Sequence, residues 1–100
     1  MNNYEVEFDP RAENDVAAAL TWYDQHDADI GTQFINKLDE IITTISEMPR
    51  VSPKIEGDIR RALMKQFPYS LYYRLDDDMA IVRVIAVLHT SRRPDYWKSR

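Results

Sequence analysis

Apolar and polar residues alternate along Tyr4-Glu5-Val6-Glu7-Phe8. A period of two predicts a half-buried strand. Asp9-Pro10 ends it and opens a helix, because Asp accepts hydrogen bonds as an N-cap and Pro lacks only an N–H that has no partner in the first turn. Ala12, Val16, Ala19, Leu20 and Tyr23 then recur at helical spacing, and their small size predicts close approach to a neighbour. Asp27-Ala28-Asp29 interrupts the pattern and can cap a second helix. Ile30, Phe34, Leu38, Ile41, Ile42, Ile45 and Met48 form the cleanest stripe in the chain and predict a helix over about Ile30–Met48, stopped by Pro49. The short connection makes the two helices an antiparallel hairpin.

Residues 49–58 contain two prolines and a glycine and read as a loop. Three strands are predicted after it, at about Ile59–Gln66, Tyr69–Leu75 and Ala80–His89, with Asp76-Asp77-Asp78 as a tight turn. The expected fold is α+β: an N-terminal strand, an antiparallel helical hairpin, then a three-stranded antiparallel meander. In the last strand Val82, Val84, Ala86 and Leu88 share one apolar face, expected under the helices. Arg83 and His89 fall in the opposite set and are expected on a bare face, where Arg74 could join them. Arg60 and Arg61 must point to opposite faces.

Composition narrows the class. One hundred residues make one domain, 1–100, with a modest core. The hydrophobic fraction of 44% and charged fraction of 30% are those of a globular protein. No apolar run approaches the roughly 20 residues of a membrane span. The N-terminal residues show no basic-then-apolar pattern, so no secretory signal is expected. With no cysteine, disulfides are excluded and a reducing cytoplasm is permitted. The net charge of −4 conceals an asymmetry. Residues 1–50 hold three basic side chains against eleven acids, a balance of −8; residues 51–100 hold ten against six, a balance of +4. Either the helices show solvated acidic faces or the basic half meets an anionic partner. Nonspecific nucleic-acid binding, which depends on many phosphate contacts, suits an acidic protein poorly.

Neither His26 nor His89 has a neighbour at metal-ligand spacing, and Gly31 and Gly57 make no phosphate-cradling loop, so no metal or other cofactor is expected. His26 reads as a surface residue. The one constellation with chemical content is Arg61, Arg74, Arg83, His89, Arg92 and Tyr96. Arginines can clamp phosphate, and His or Tyr can move protons, which are the needs of metal-free RNA cleavage. The alternative is that these arginines pair with the many acids and His89 merely ends a strand. Tyr69, Tyr72, Tyr73, Tyr96 and Trp97 read first as packing residues and second as base-stacking ones.

The chain as a whole resembles the RelE/ParE family of bacterial type II toxin–antitoxin toxins. The resemblance is carried by Val6-Glu7-Phe8, Pro10-Arg11-Ala12, Gln33-Phe34 with Leu38 and Ile41-Ile42, and Pro49. It continues through Ile59-Arg60-Arg61, Phe67-Pro68-Tyr69, Tyr72-Tyr73-Arg74, and His89 followed by Arg92, Pro94 and Trp97. It implies a cytoplasmic toxin held in a hetero-oligomer with a cognate antitoxin, with a place in plasmid stabilization. RelE-like members cut messenger RNA on the ribosome with strand cations and a C-terminal tyrosine or histidine. ParE-like members lack that set and poison DNA gyrase. Arg61 and Leu63 fall where ribonucleases carry a lysine pair, and Ser70 where they carry an arginine; Tyr96 matches the C-terminal tyrosine and Arg92 lies near the tail arginine. Part of the cleavage set is therefore present and two members are missing. The Phe-Pro-Tyr segment and the His…Arg…Pro…Trp tail look more ParE-like. The first expectation is a non-catalytic gyrase inhibitor, with Arg74, Arg92, Arg93 and Trp97 as target-binding candidates. The second is an mRNA endoribonuclease using Arg61, Arg83, Arg92 and either His89 or Tyr96. The third is an inactive homologue that survives as a binding module. An antitoxin would reach any of these through an apolar groove or by adding a strand to a sheet edge.

Overall fold

The computed structural model describes residues 3–91. Its elements are β1 (Glu5–Phe8), α1 (Pro10–His26), α2 (Ala28–Glu47), β2 (Lys54–Glu56), β3 (Ile59–Leu63), β4 (Tyr69–Asp76) and β5 (Ile81–His89). They form an α+β fold, as the alternation and helical stripes predicted. The sheet has five strands in the order β1-β5-β4-β3-β2. β1 runs parallel to β5, and the other neighbours are antiparallel. The fifth strand, β2, lies inside the segment expected to be a loop.

The helices begin as their caps require. The Asp9 carboxylate accepts the Arg11 N–H at 2.9 Å, with Pro10 in the first turn. Asp27 is at once the C-cap of α1 and the N-cap of α2. Its N–H donates to Tyr23 O at 2.8 Å, while its side chain accepts from Asp29 N at 2.8 Å. One extended residue thus reverses the chain. α2 buries Gly31, Phe34, Leu38 and Ile45. Met48, expected on that stripe, lies just past the helix and is exposed. The C-terminal end of α2 is fastened to β1: Tyr4 N–H donates to Ser46 O at 2.9 Å, and Ser46 Oγ donates to Tyr4 O at 2.6 Å.

The main core lies between the helices and one sheet face, where Ala12, Ala19, Phe34, Leu38 and Ile45 meet Ala62, Leu71, Tyr73, Val82, Val84 and Val87. Phe34 sits within an aromatic group, its ring 5.4 Å from Tyr23, 5.3 Å from Phe67 and 5.4 Å from Tyr69.

The face assignment of β5 needs correction. Tyr72 pairs with Ala86 but Tyr73 with Val84, so Ile85 has no opposite number. This β-bulge exchanges the two faces beyond it. Val82 and Val84 lie under the helices as expected, but the next core residue is Val87. Ala86 and Leu88 turn to the other face and form a second cluster with Ile59 and Tyr72, joined by Ile55 and Ile85. That face is not bare: Ala86 is fully buried and Leu88 is 5% exposed.

Surface ties complete the frame. Arg60 Nη1 donates to Ser52 O at 2.7 Å and Arg50 O at 3.3 Å, holding the segment after α2. Tyr4 Oη donates to Asp77 Oδ1 at 2.7 Å, and Arg50 pairs with the same oxygen at 2.6 Å. The Tyr4 hydroxyl first, then Arg50, holds the Asp77 carboxyl below its ordinary range. The Tyr4 contact and the Asp77 partner likewise raise Arg50 above its usual value.

Phe34→Ala is expected to lower stability by about 3–5 kcal/mol, as emptying a buried aromatic site does, measured by urea denaturation. A depressed carboxyl stabilises above its unfolded pKa and loses that contribution as pH falls through the folded value. Asp77→Asn should therefore shift the urea midpoint down at neutral pH, and its gap from wild type should close below about pH 4. A gap that persists unchanged at acid pH would assign the effect to something other than the Asp77 charge.

Candidate functional site

β5 places the two charged candidates of its own sequence on opposite faces. Arg83 precedes the Ile85 bulge and lies on the second face, directly opposite Glu7 on β1 and Arg74 on β4. Its guanidinium is engaged on both sides, at 3.0 Å from Glu7 Oε1 and 3.5 Å from Asp76 Oδ2. Arg74 is exposed and makes no ion pair among the described residues. His89 follows the bulge and returns to the helix side, its ring 5.2 Å from Tyr69. The expectation that Arg83 and His89 share one face is thus overturned by a single inserted residue.

His89 is further constrained. Its Nδ1 accepts the Ser91 N–H at 3.0 Å and meets Ser91 Oγ at 2.8 Å. A backbone N–H can only donate, so the ring hydrogen is assigned to Nε2. The ring's one lone pair is then occupied by Ser91. Nε2–H is the ring position left to meet a ligand.

Arg61 is exposed on β3, opposite Tyr72. Tyr72 in turn faces Ala86, so Arg61 heads that row on the second face and is the diagonal neighbour of Arg74, in the next row. Leu63 and Ser70, where the resemblance implies ribonuclease cations, are direct cross-strand partners. Leu63 is 63% exposed and Ser70 only 2%. Arg92, Arg93, Tyr96 and Trp97 lie outside the described residues.

An open groove of about 760 Å³ runs between α1 and the end of β5, lined by Ala18, Trp22, Tyr23, Pro68, Tyr69 and His89. β1 covers only Ile81–Val84, so β5 outgrows it. Asp15 of α1 takes over there, its Oδ2 accepting the Val87 N–H at 3.0 Å. Trp22 is 53% exposed and stacks on His26 with ring centres 4.0 Å apart. His26 Nδ1 donates to Trp22 O at 2.7 Å, since a carbonyl only accepts. Burial raises the Tyr23 phenol above its ordinary pKa, so it remains a neutral hydroxyl. The Trp22–His26 platform escaped the sequence reading. Its signal was the spacing of four on one helix, which makes them surface neighbours.

Residues 6–94 match a family model described as the ParE toxin of the type II toxin–antitoxin system parDE. No curated protein sequence matches the chain. Among solved structures, a chain of the chromosomal ParDE system from P. aeruginosa is similar, with TM-score 0.73 at 10% identity, over 86% of this chain and 95% of that one. A chain of the RelBE2 toxin–antitoxin complex from Mycobacterium tuberculosis gives TM-score 0.60 at 22% identity, over 89% and 93%. The isolated E. coli RelE toxin gives 0.53 at 25% identity, over 96% and 94%.

Asp15→Ala would leave the partly buried Val87 N–H without its acceptor and should cost about 1–3 kcal/mol in urea denaturation. Asp15→Asn keeps an acceptor oxygen and should recover most of that loss. Equal losses in the two variants would show that the carboxylate charge, and not the hydrogen bond, matters.

Proposed function

Since the chain belongs to the ParE toxin family of type II toxin–antitoxin systems, we propose that it is a non-catalytic toxin that inhibits DNA gyrase and is neutralised in the cytoplasm by a cognate antitoxin. The observation that carries this reading is the Leu63–Ser70 pair. Two positions where ribonuclease members would place cations hold an aliphatic side chain and a buried hydroxyl, side by side. RNA cleavage needs convergent groups: a base for the 2′-hydroxyl, cations for the developing phosphorane charge and an acid for the leaving oxygen. Here Arg83 is neutralised by two carboxylates, and His89 lies across the sheet with its lone pair occupied.

An inhibitor of a large protein needs a displayed surface instead of a focused cleft. Arg74, on the second face, is exposed and suits such contact; Arg92, Arg93 and Trp97, outside the described residues, are further candidates. No helix among the described residues is long and apolar enough to cross a membrane, which accords with a target met in solution.

Induced expression in bacterial cells should arrest growth with filamentation and gyrase-dependent DNA breaks, while messenger RNA stays intact during translation. Arg74→Glu should weaken the arrest by about tenfold, the scale of one lost interfacial charge contact. RNA cut at defined codons, and abolished by His89→Ala or Tyr96→Phe, would replace this reading with the ribonuclease one.

A further inference from the structure

Trp22, at 53%, is the one exposed tryptophan, tyrosine or phenylalanine ring among the described residues. Its indole is held in place. The His26 ring stacks on it with centres 4.0 Å apart, and the Tyr23 ring meets it edge-on at 5.1 Å. His26 is itself anchored, its Nδ1 donating to Trp22 O at 2.7 Å. Helical side chains lean toward the N-terminus of their helix. His26, four residues on, therefore covers the C-terminal side of the indole, and the opposite face looks back along α1 toward Ala18 and Asp15. Those two residues line the open groove between α1 and the end of β5, as Trp22 does and His26 does not.

The groove has one electrical sign. Asp15 is its lining carboxylate, and among the described residues no lysine or arginine lines it. α1 adds Glu13 and Asp24 against Arg11. Asp15 accepts the Val87 N–H at 3.0 Å, but a carboxylate offers several lone-pair sites and that bond does not exhaust it. Asp15 and Trp22 are two helical turns apart, roughly 10 Å along the axis. Ala18 and Ala19 lie between them and leave the space open. A fixed π-face, a small floor and a carboxylate thus follow one another along α1. A planar cation suits that order, since a guanidinium both stacks on an indole and pairs with a carboxylate, which a compact ammonium does less well.

We propose that this groove is a second contact of the toxin with its target, taking an arginine side chain of that protein on the Trp22 face beside Asp15. Two observations choose the occupant. The charge of the groove suits a basic segment. Its mouth is also continuous with the target-binding candidates, since Ser91 lines it and Arg92 and Arg93 follow directly in the chain. A tryptophan positioned before docking loses little freedom on binding, and buried tryptophans are among the side chains that carry interface energy. The partner rests on the toxin reading; the guanidinium site rests on α1 and β5.

The test uses the isotope-labelled full chain and a short capped peptide with one arginine between glycines. A peptide with citrulline in its place, equally planar but uncharged, is the control. At millimolar peptide the arginine form should shift the Trp22 indole resonance and bind about tenfold tighter than the citrulline form. Asp15→Asn, which keeps the Val87 acceptor, should remove most of that preference. Trp22→Ala should weaken arginine binding by about fivefold and raise the inducer level needed for growth arrest by a similar factor. Equal binding of the two peptides, or shifts centred on Leu63, would overturn the proposal. So would an indole shift on Arg92→Glu/Arg93→Glu without peptide, which would make this chain's own segment the occupant. If Trp22→Ala loses the peptide but arrests growth as wild type does, or loses only its capture by the antitoxin encoded beside the gene, the groove fails as a target contact while the toxin reading stands. If expression never arrests growth, the toxin reading fails while the peptide comparison still decides the guanidinium site.

Discussion

The structure depends on how β5 is held. It is the inner strand that ties the N-terminal strand to the rest of the sheet, parallel to β1 on one side and antiparallel to β4 on the other. Its first half is gripped on both edges. Its second half outruns β1 and is held on that side by the Asp15 carboxylate. The Ile85 bulge lies at the junction. The extra residue adds local twist and re-aims everything after it. Val87 thereby enters the main core, Leu88 leaves it for the second cluster, and His89 swings to the helix side. One inserted residue decides both how the sheet packs and which polar groups can act together.

The helical hairpin meets that sheet under tight steric terms. A one-residue connection at Asp27 keeps the ends of α1 and α2 close, so small side chains are needed where they touch. Gly31 is buried, and a Cβ there would displace the exposed Asp24 carboxylate and come within 3.3 Å of Leu20 Cδ1. Ala12 and Ala19 on α1 are small and buried in the main core. The volume they leave is filled from α2 by Phe34, whose aromatic contacts reach α1 through Tyr23 and β4 through Tyr69. Burial of large apolar side chains supplies the stabilisation, and the small residues set how near the layers can come.

Much of this was legible in the residues, for physical reasons that differ by element. α2 was plain because seven apolar positions repeat at helical spacing between an Asp cap and a Pro stop. β1 was plain because alternation survives where one face meets water. β2 was not: a three-residue edge strand between Pro53 and Gly57 contains too few positions to show a period, and only its pairing with β3 defines it. The face exchange in β5 was illegible for a different reason. Residues 84–88 read Val-Ile-Ala-Val-Leu, so either parity looks apolar and nothing in the string marks the bulge. The site suffered in consequence. Arg83 and His89 share a parity on paper, and the alternation rule has no means of counting a residue that drops out of register. The pairing of Leu63 with Ser70, by contrast, follows from a regular stretch of β3 and β4.

The distribution of charge explains why the same cations support one kind of action better than another. Residues 51–100 carry a surplus of basic groups, yet Arg83 is paired with Glu7 and Asp76, and Arg50, from the acidic half, pairs with Asp77. Exposed pairs of this kind add little stability individually. Their effect is to cancel local field around Arg83 and Arg50. Of the cations that remain, Arg74 and Arg61 are diagonal neighbours on the second face, and Lys65 lies just beyond the end of β3. Stabilising a single phosphorane requires donors that converge within hydrogen-bond reach of one group of oxygens. Recognition of a protein surface has no such requirement, because dispersed charges steer approach and fix register over a broad contact. The proposed reading as a binding toxin rests on that difference: contact with a protein does not require the charges to converge.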